Sequence, residues 1–119
     1  MVGDTLIHED VYKSALINNK YDFKPIFTYI KPIVKLYDLA FYNQESIIGG
    51  NKIGLSTYPW FNSPEEIADA MIDMGFNLAN LANNHTLAKG AIGIITSITY
   101  WKDKNVIPSG SYSNNEDKN

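Results

Sequence analysis

The sequence contains no arginine and no cysteine, and each absence excludes a class of chemistry. All ten basic residues are lysines, so no guanidinium group is available for two-point binding of phosphate. The lysines are scattered, the net charge is −3 and the pI is near 5.2, which argues against nucleic acid as a partner. Without cysteine, the sequence excludes disulfides, thiolate metal sites and cysteine nucleophiles. This composition is compatible with either the cytoplasm or a bacterial cell surface.

Long hydrophobic runs are also missing, since no stretch approaches the ~18 consecutive apolar residues that a membrane-spanning helix needs. What the chain does have is enough apolar material for a core. Of its 119 residues 45% are hydrophobic, and these include 15 isoleucines and 15 aromatic residues. A chain of this length buries roughly two thirds of its unfolded surface, which suits one domain and excludes two.

The apolar pattern predicts alternating strands and helices. Helix periodicity covers residues 23–34, where Pro32 should kink or divide the helix. A capping box at Ser63, Pro64 and Glu66 predicts the start of another helix, which Gly75 ends. The remaining predicted helices are 11–17 and 91–104, and the predicted strands are 1–7, 37–42, 76–81 and 106–107. This alternation is typical of an α/β fold with a parallel sheet and crossover helices.

Two segments have no regular pattern. Residues 46–62 form a predicted loop that is long enough to be a lid or a binding loop, and it carries Tyr58, Trp60 and Phe61. These aromatic residues fit either a platform for sugar or peptide or packing against the sheet edge. Residues 111–119 are polar and are predicted to be a disordered tail after a domain covering 1–110.

Polar residues follow three of the predicted strands. They are Asp4, then Asn43 with Glu45, then Asn83 and Asn84 with His85. Because the carboxyl ends of parallel strands meet at one edge of a sheet, we expect these side chains to converge there. Amide oxygen beside imidazole is a pattern that suits a divalent metal and proton transfer.

Each cluster also has a structural interpretation. Asp4 fits a turn former or a helix cap, Glu45 fits an exposed loop carboxylate, and Asn83 and Asn84 fit a tight turn. His8, beside two acidic residues, is interpreted as a solvated loop histidine. A metal-free α/β domain whose polar edge only caps helices therefore stays open as an alternative.

At these residues the sequence resembles bacterial capsule-synthesis proteins of the CapA type, which are named for poly-γ-glutamate capsule formation and are similar to calcineurin-like metallophosphoesterases. The resemblance covers nearly the whole chain, from Val2 to about Gly110. The motifs that carry it are Gly3-Asp4, Asp38-Leu39-Ala40, Asn43-x-Glu45, Tyr58-Pro59, Phe61-Asn62-Ser63-Pro64, Gly75-Phe76, Leu81-Ala82-Asn83-Asn84-His85 and Gly90.

The resemblance implies the N-terminal part of a metallophosphoesterase-like αββα sandwich with a divalent metal, Mn, Mg, Zn or Fe. It implies that Asp4, Glu45 and Asn84 are metal ligands and that His85 protonates a leaving group. Asn43 and Asn83 are implied as supporting residues around the ligands. Substrate-binding residues are not indicated.

The sequence departs from the family pattern at Ala88, where members usually carry an acidic residue, and only two histidines are present. We therefore expect the N-terminal part of a longer protein with an incomplete metal site. Two functions follow from the resemblance. One is a metal-dependent hydrolase at the cell surface acting on an anionic capsule polymer such as poly-γ-glutamate, and the other is a non-catalytic subunit that binds the polymer or capsule synthase subunits. The resemblance also implies an extracellular position with a membrane anchor outside this chain.

Overall fold

A computed structural model describes residues 1–115 of the chain. Short strands alternate with helices along it. The helices are α1 (Glu9–Ser14), α2 (Lys31–Val34), α3 (Glu65–Met74) and α4 (Gly90–Lys102), with 3₁₀ helices at Lys24–Phe27 and Asn51–Ile53. The strands are β1 (Leu16–Ile17), β2 (Lys20–Tyr21), β3 (Phe41–Asn43), β4 (Ile47–Ile48), β5 (Asn62–Ser63), β6 (Leu78–Asn80) and β7 (Ile107–Ser109).

The central sheet is parallel, with the strand order β3-β6-β7. Its register pairs Asn43 with Asn80 and Asn80 with Ser109, so the three strands end level with one another. The N-terminal segment runs parallel to β3, because the Val2 N–H donates to the Phe41 carbonyl and the Thr5 N–H donates to the Asn43 carbonyl. The predicted α/β fold with a parallel sheet is confirmed, although the first strand is reduced to one bridge at Asp4.

The core lies around the sheet and α3. The buried face of α3 consists of Ile67, Ala68, Ala70, Met71 and Met74, which follow helical spacing. Gly75 ends this helix with a φ of 113°, as the sequence predicts, because only glycine adopts that conformation without strain. Tyr42, Phe76 and Trp101 complete the apolar interior.

The predicted capping box is wrong. Helix α3 starts at Glu65 after Pro64, and no side chain caps its first turn. Ser63 belongs instead to β5, which pairs in parallel with β4, and its fully buried hydroxyl lies 2.6 Å from the hydroxyl of Ser46. The backbone of Ser63 is committed to a strand, so tertiary packing overrides the local capping signal.

One predicted helix is wrong in part, and another is divided as the sequence predicts. The segment 11–17 ends its helix at Ser14 and then forms a β1-β2 hairpin, in which Asn18 and Asn19 have φ values of 50° and 62°. Asparagine tolerates this left-handed turn conformation. The segment 23–34 is divided into the 3₁₀ helix and α2, and Pro32 lies in the first turn of α2. The division agrees with the removal of a backbone donor by proline.

The segment 46–62 is not irregular throughout, and its interpretation as a lid or binding loop stays a prediction. Both ends of the segment are strands, and the fully buried Asn62 side chain bonds to the backbone of Gly49, Gly50 and Gly54. These bonds hold the two ends of the segment together, since all three glycines lie within it.

The end of the described chain makes contact with the domain. In the predicted tail 111–119, the Ser111 hydroxyl donates to the Leu81 carbonyl, while residues 116–119 lie outside the described residues. The domain boundary at residue 110 stays a prediction. No helix within residues 1–115 combines the length and apolar content required to cross a membrane.

Candidate active site

The candidate site lies where the parallel strands end. Asn43 and Asn80 are the last residues of β3 and β6, Asp4 lies beside Asn43, and Glu45 follows two residues after β3. His85 follows β6 after a turn. We call Asp4, Asn43, Glu45, Asn80 and His85 the carboxyl-edge cluster. The sheet register brings these residues together from distant parts of the chain, as the sequence predicts for all but Asn80.

Two amide side chains orient Asp4. The Asn80 side-chain N–H donates to the Asn43 Oδ1 atom at 2.8 Å, and the Asn43 Nδ2 atom donates to Asp4 Oδ1, also at 2.8 Å. Asn80 donates in addition to the Ala82 carbonyl at 3.1 Å. Asn80, Asn43 and Asp4 thus form a row of hydrogen-bonded side chains. Because the Asn43 oxygen accepts from Asn80, its nitrogen is left to donate to the Asp4 Oδ1 atom.

Glu45 lies between Asp4 and His85. Its side chain is 14% exposed, and its Oε1 atom is 3.7 Å from the His85 Nε2 atom. Burial raises the pKa of Glu45, and the nearby charge of Asp4 and a hydrogen bond with Asp4 raise it further, while His85 acts in the opposite direction. Two carboxyl groups in such contact favour a shared proton or a bound cation, since both cannot be ionised without repulsion.

The turn after β6 positions His85. The Asn83 Oδ1 atom accepts the His85 backbone N–H at 2.9 Å, and the Asn83 Nδ2 atom donates to the Gln44 carbonyl at 3.0 Å. The imidazole packs edge-on against the buried ring of Phe61, with ring centres 4.8 Å apart. Asn83 therefore ties the turn to the segment that carries Glu45, which fits the supporting role implied by the resemblance.

Asn84 is the one predicted ligand whose side chain has no interaction among residues 1–115. Its side chain is exposed and makes no hydrogen bond to any described residue. Its amide oxygen is thus free, and its role as a ligand stays a prediction.

The donor set can be tested against the implied divalent metal. Asp4 and Glu45 supply carboxylate oxygens in mutual contact, and His85 supplies a ring nitrogen next to them, which is chemistry that suits Mn, Mg, Zn or Fe. Within residues 1–115, however, no three histidine, aspartate or glutamate side chains already surround one metal position. The described residues therefore fit a metal site with two carboxylate ligands that needs further ligands to be complete.

Three residues of the site were missed or undervalued by the sequence analysis. Asn80 could have been found, because parallel register places it opposite Asn43. Phe61 contacts the rings of both His85 and His8, the second with centres 5.0 Å apart. His8 itself is exposed, as expected, but its Nδ1 atom lies 3.4 Å from the Thr57 hydroxyl. Nothing in the local sequence indicates this contact across 49 positions.

Comparison with known proteins gives a family. The family described as bacterial capsule synthesis protein PGA_cap matches residues 1–119. No curated protein matches the chain significantly. The match covers the whole sequence and agrees with the resemblance seen in its motifs, so the chain belongs to the bacterial capsule synthesis protein family and takes part in capsule synthesis.

Proposed function

We propose that the carboxyl-edge cluster is the centre of a metal-dependent hydrolase that acts on an anionic capsule polymer, poly-γ-glutamate, at the cell surface. The observation that carries the proposal is that Asp4, bound by Asn43 at 2.8 Å, and Glu45, 3.7 Å from His85, meet where the parallel strands end. Two adjacent carboxylates and an imidazole at the carboxyl edge of a parallel sheet are the groups that hydrolytic chemistry with a divalent ion requires.

In this proposal Asp4, Glu45 and Asn84 hold the ion. A divalent ion there supplies positive charge that stabilises the negative charge developing on the group under attack. Asn43 holds Asp4 in the ligating orientation through its 2.8 Å bond. His85 is held by Asn83 and Phe61, and its ring nitrogen delivers a proton to the leaving group.

Metal titration tests the ligand assignment. We expect Asp4→Asn and Glu45→Gln each to weaken Mn²⁺ binding by more than about tenfold in isothermal titration, because each removes a charged oxygen donor. Asn84→Ala should weaken it by about tenfold. The matched control is Asp103→Asn, which changes an exposed carboxylate just after α4, before β7 begins. Equal affinity in the wild type and all four variants would exclude metal binding at this site.

A second function has one observation in its favour. Since no three-ligand arrangement is present within residues 1–115, a non-catalytic subunit that binds polymer or capsule synthase components also fits. Complementation separates the two. Under the hydrolase proposal, a His85→Ala strain makes as little capsule as a deletion strain. Normal capsule from the His85→Ala strain, with none from the deletion, would favour the non-catalytic subunit.

A further inference from the structure

One segment of the chain has a charge opposite to that of the whole. Residues 24–35 contain three lysines and no acidic residue, whereas the chain carries a net charge of −3. The segment forms the 3₁₀ helix Lys24–Phe27 and helix α2, and together with α3 it borders an open groove of roughly 700 Å³. We call this the lysine groove, and its charged residues are Asp22, Lys24, Lys31, Lys35 and Asp73.

The two carboxylates of the groove are already engaged. Asp73 Oδ2 is 2.5 Å from the Lys31 ammonium, and Asp22 Oδ1 accepts the Lys24 backbone N–H at 3.0 Å. The ammonium groups of Lys24 and Lys35 have no ion-pair partner among residues 1–115, and both residues are exposed.

The lowered pKa of the Asp73 carboxyl agrees with a positive electrostatic potential in the groove. The hydrogen bond from Lys31 lowers the pKa of Asp73, and the charges of Lys24 and Lys35 lower it further. The charges of all three lysines are therefore close enough to interact with one carboxylate in the groove. An anion placed in the groove would meet the same charges.

We propose that the lysine groove binds a stretch of a polycarboxylate chain, with Lys24 and Lys35 each contacting a carboxylate of the polymer. This inference rests on the proposed function, because it assigns the anionic polymer a binding surface separate from the carboxyl-edge cluster. A linear polymer presents carboxylates repeatedly, so contacts that are weak singly combine through effective concentration.

The lining of the groove favours a polymer of carboxylates. Its three lysines lie among Pro25, Thr28 and Pro32, and no large apolar side chain of residues 1–115 lines it, whereas Ile30, Ile33 and Tyr37 line a different groove of about 260 Å³. Because exposed apolar residues follow the lysines closely in sequence, membrane binding is an outcome that the test must distinguish.

Fluorescence anisotropy with labelled poly-γ-glutamate tests the proposal in low-salt buffer containing EDTA. We expect Lys24→Gln/Lys35→Gln to weaken binding about tenfold, since two exposed ion pairs are lost. The matched control Lys13→Gln/Lys52→Gln removes the same charge elsewhere on the surface. It should bind within about twofold of the wild type, and 0.3 M salt should weaken wild-type binding strongly.

Three results would overturn the proposal: no binding by the wild type, equal loss in both double variants, or lysine-dependent sedimentation with phosphatidylglycerol vesicles in place of polymer binding. Monomeric glutamate should not compete at millimolar concentration, and full competition would exclude recognition of a polymer. Polymer binding is measured with EDTA present, whereas the hydrolase proposal is tested by Mn²⁺ titration of the Asp4 and Glu45 variants, so failure of the groove and failure of the hydrolase proposal give different results.

Discussion

At the scale of single residues, Glu45 is the side chain whose environment is most unusual. It is nearly buried, touches Asp4 and lies close to His85. A free carboxylate would lose its hydration there and would face a like charge, so the folded state binds a proton on Glu45 more tightly than the unfolded chain does. The same repulsion is relieved by a cation, which is the physical basis of the proposed metal site.

This gives a pH-dependent stability prediction. Because the folded pKa of Glu45 is raised, its favourable contribution is complete below the unfolded pKa and is lost as the pH rises through the folded pKa. Glu45→Gln imitates the protonated form, so in EDTA we expect it to melt at a higher temperature than the wild type at pH 7. The difference should shrink below the ordinary glutamate range. Thermal unfolding of Asp103→Asn is the control, and a lower melting temperature for Glu45→Gln at pH 7 would contradict the prediction.

At the scale of elements, the short β4-β5 pair shows how packing determines a local structure. Only two residues of each strand pair, and the contact between Ser46 and Ser63 fastens them inside the protein. The Ser46 hydroxyl also donates to the Thr5 carbonyl at 3.3 Å, which connects this pair to the N-terminal segment. The pair therefore holds the segment that carries Phe61 against the carboxyl-edge cluster.

Two substitutions at Ser63 distinguish a buried hydroxyl from a helix cap. We expect Ser63→Ala to cost about 1 kcal/mol, since one buried hydrogen bond is lost. Ser63→Asn should cost more, about 2 kcal/mol, because a fully buried position has no room for a larger side chain. Asparagine is an equally good cap, so urea unfolding that shows wild-type stability for Ser63→Asn would restore the capping interpretation.

At the scale of the whole molecule, the last described segment closes onto the turn that carries the site. The Leu81 N–H donates to the Ser109 carbonyl at 2.7 Å, and Gly110 then passes directly over Ala82. A Cβ atom on Gly110 would lie 2.4 Å from the Ala82 Cβ and 2.8 Å from its backbone nitrogen. The turn leading to His85 therefore depends on a residue near the other end of the described chain.

Gly110→Ala tests this dependence. It should destabilise the protein by about 3 kcal/mol, because it combines a left-handed φ of 99° with a clash against backbone. Gly90→Ala is the matched control, since Gly90 has a φ of 61° but nothing within 4 Å of its added Cβ. The control should cost only about 1 kcal/mol. Equal costs in differential scanning calorimetry would show that contact with Ala82 is unimportant.

Much of the fold was predictable from the chain, and the failures share one cause. The local signals at Pro64 and Gly75 located both ends of helix α3, and the alternation of strands and helices identified the parallel sheet, because each depends on neighbours in sequence. The role of Ser63 and the hairpin turn at Asn18 and Asn19 were not predicted. In both cases the residues can adopt two local conformations. Contacts with distant or following segments decide which conformation they take.

The sequence by itself determined the α/β class, the family and the presence of polar residues after successive strands, since these follow from local pattern and composition. Only the tertiary structure decided which of those residues meet. Sheet register joined Asp4, Asn43 and Asn80 in one row and brought Glu45 between Asp4 and His85, because hydrogen bonding between parallel strands fixes the relative height of their ends. It left Asn84 exposed, because Asn83 makes the side-chain bonds that hold this turn to its neighbours.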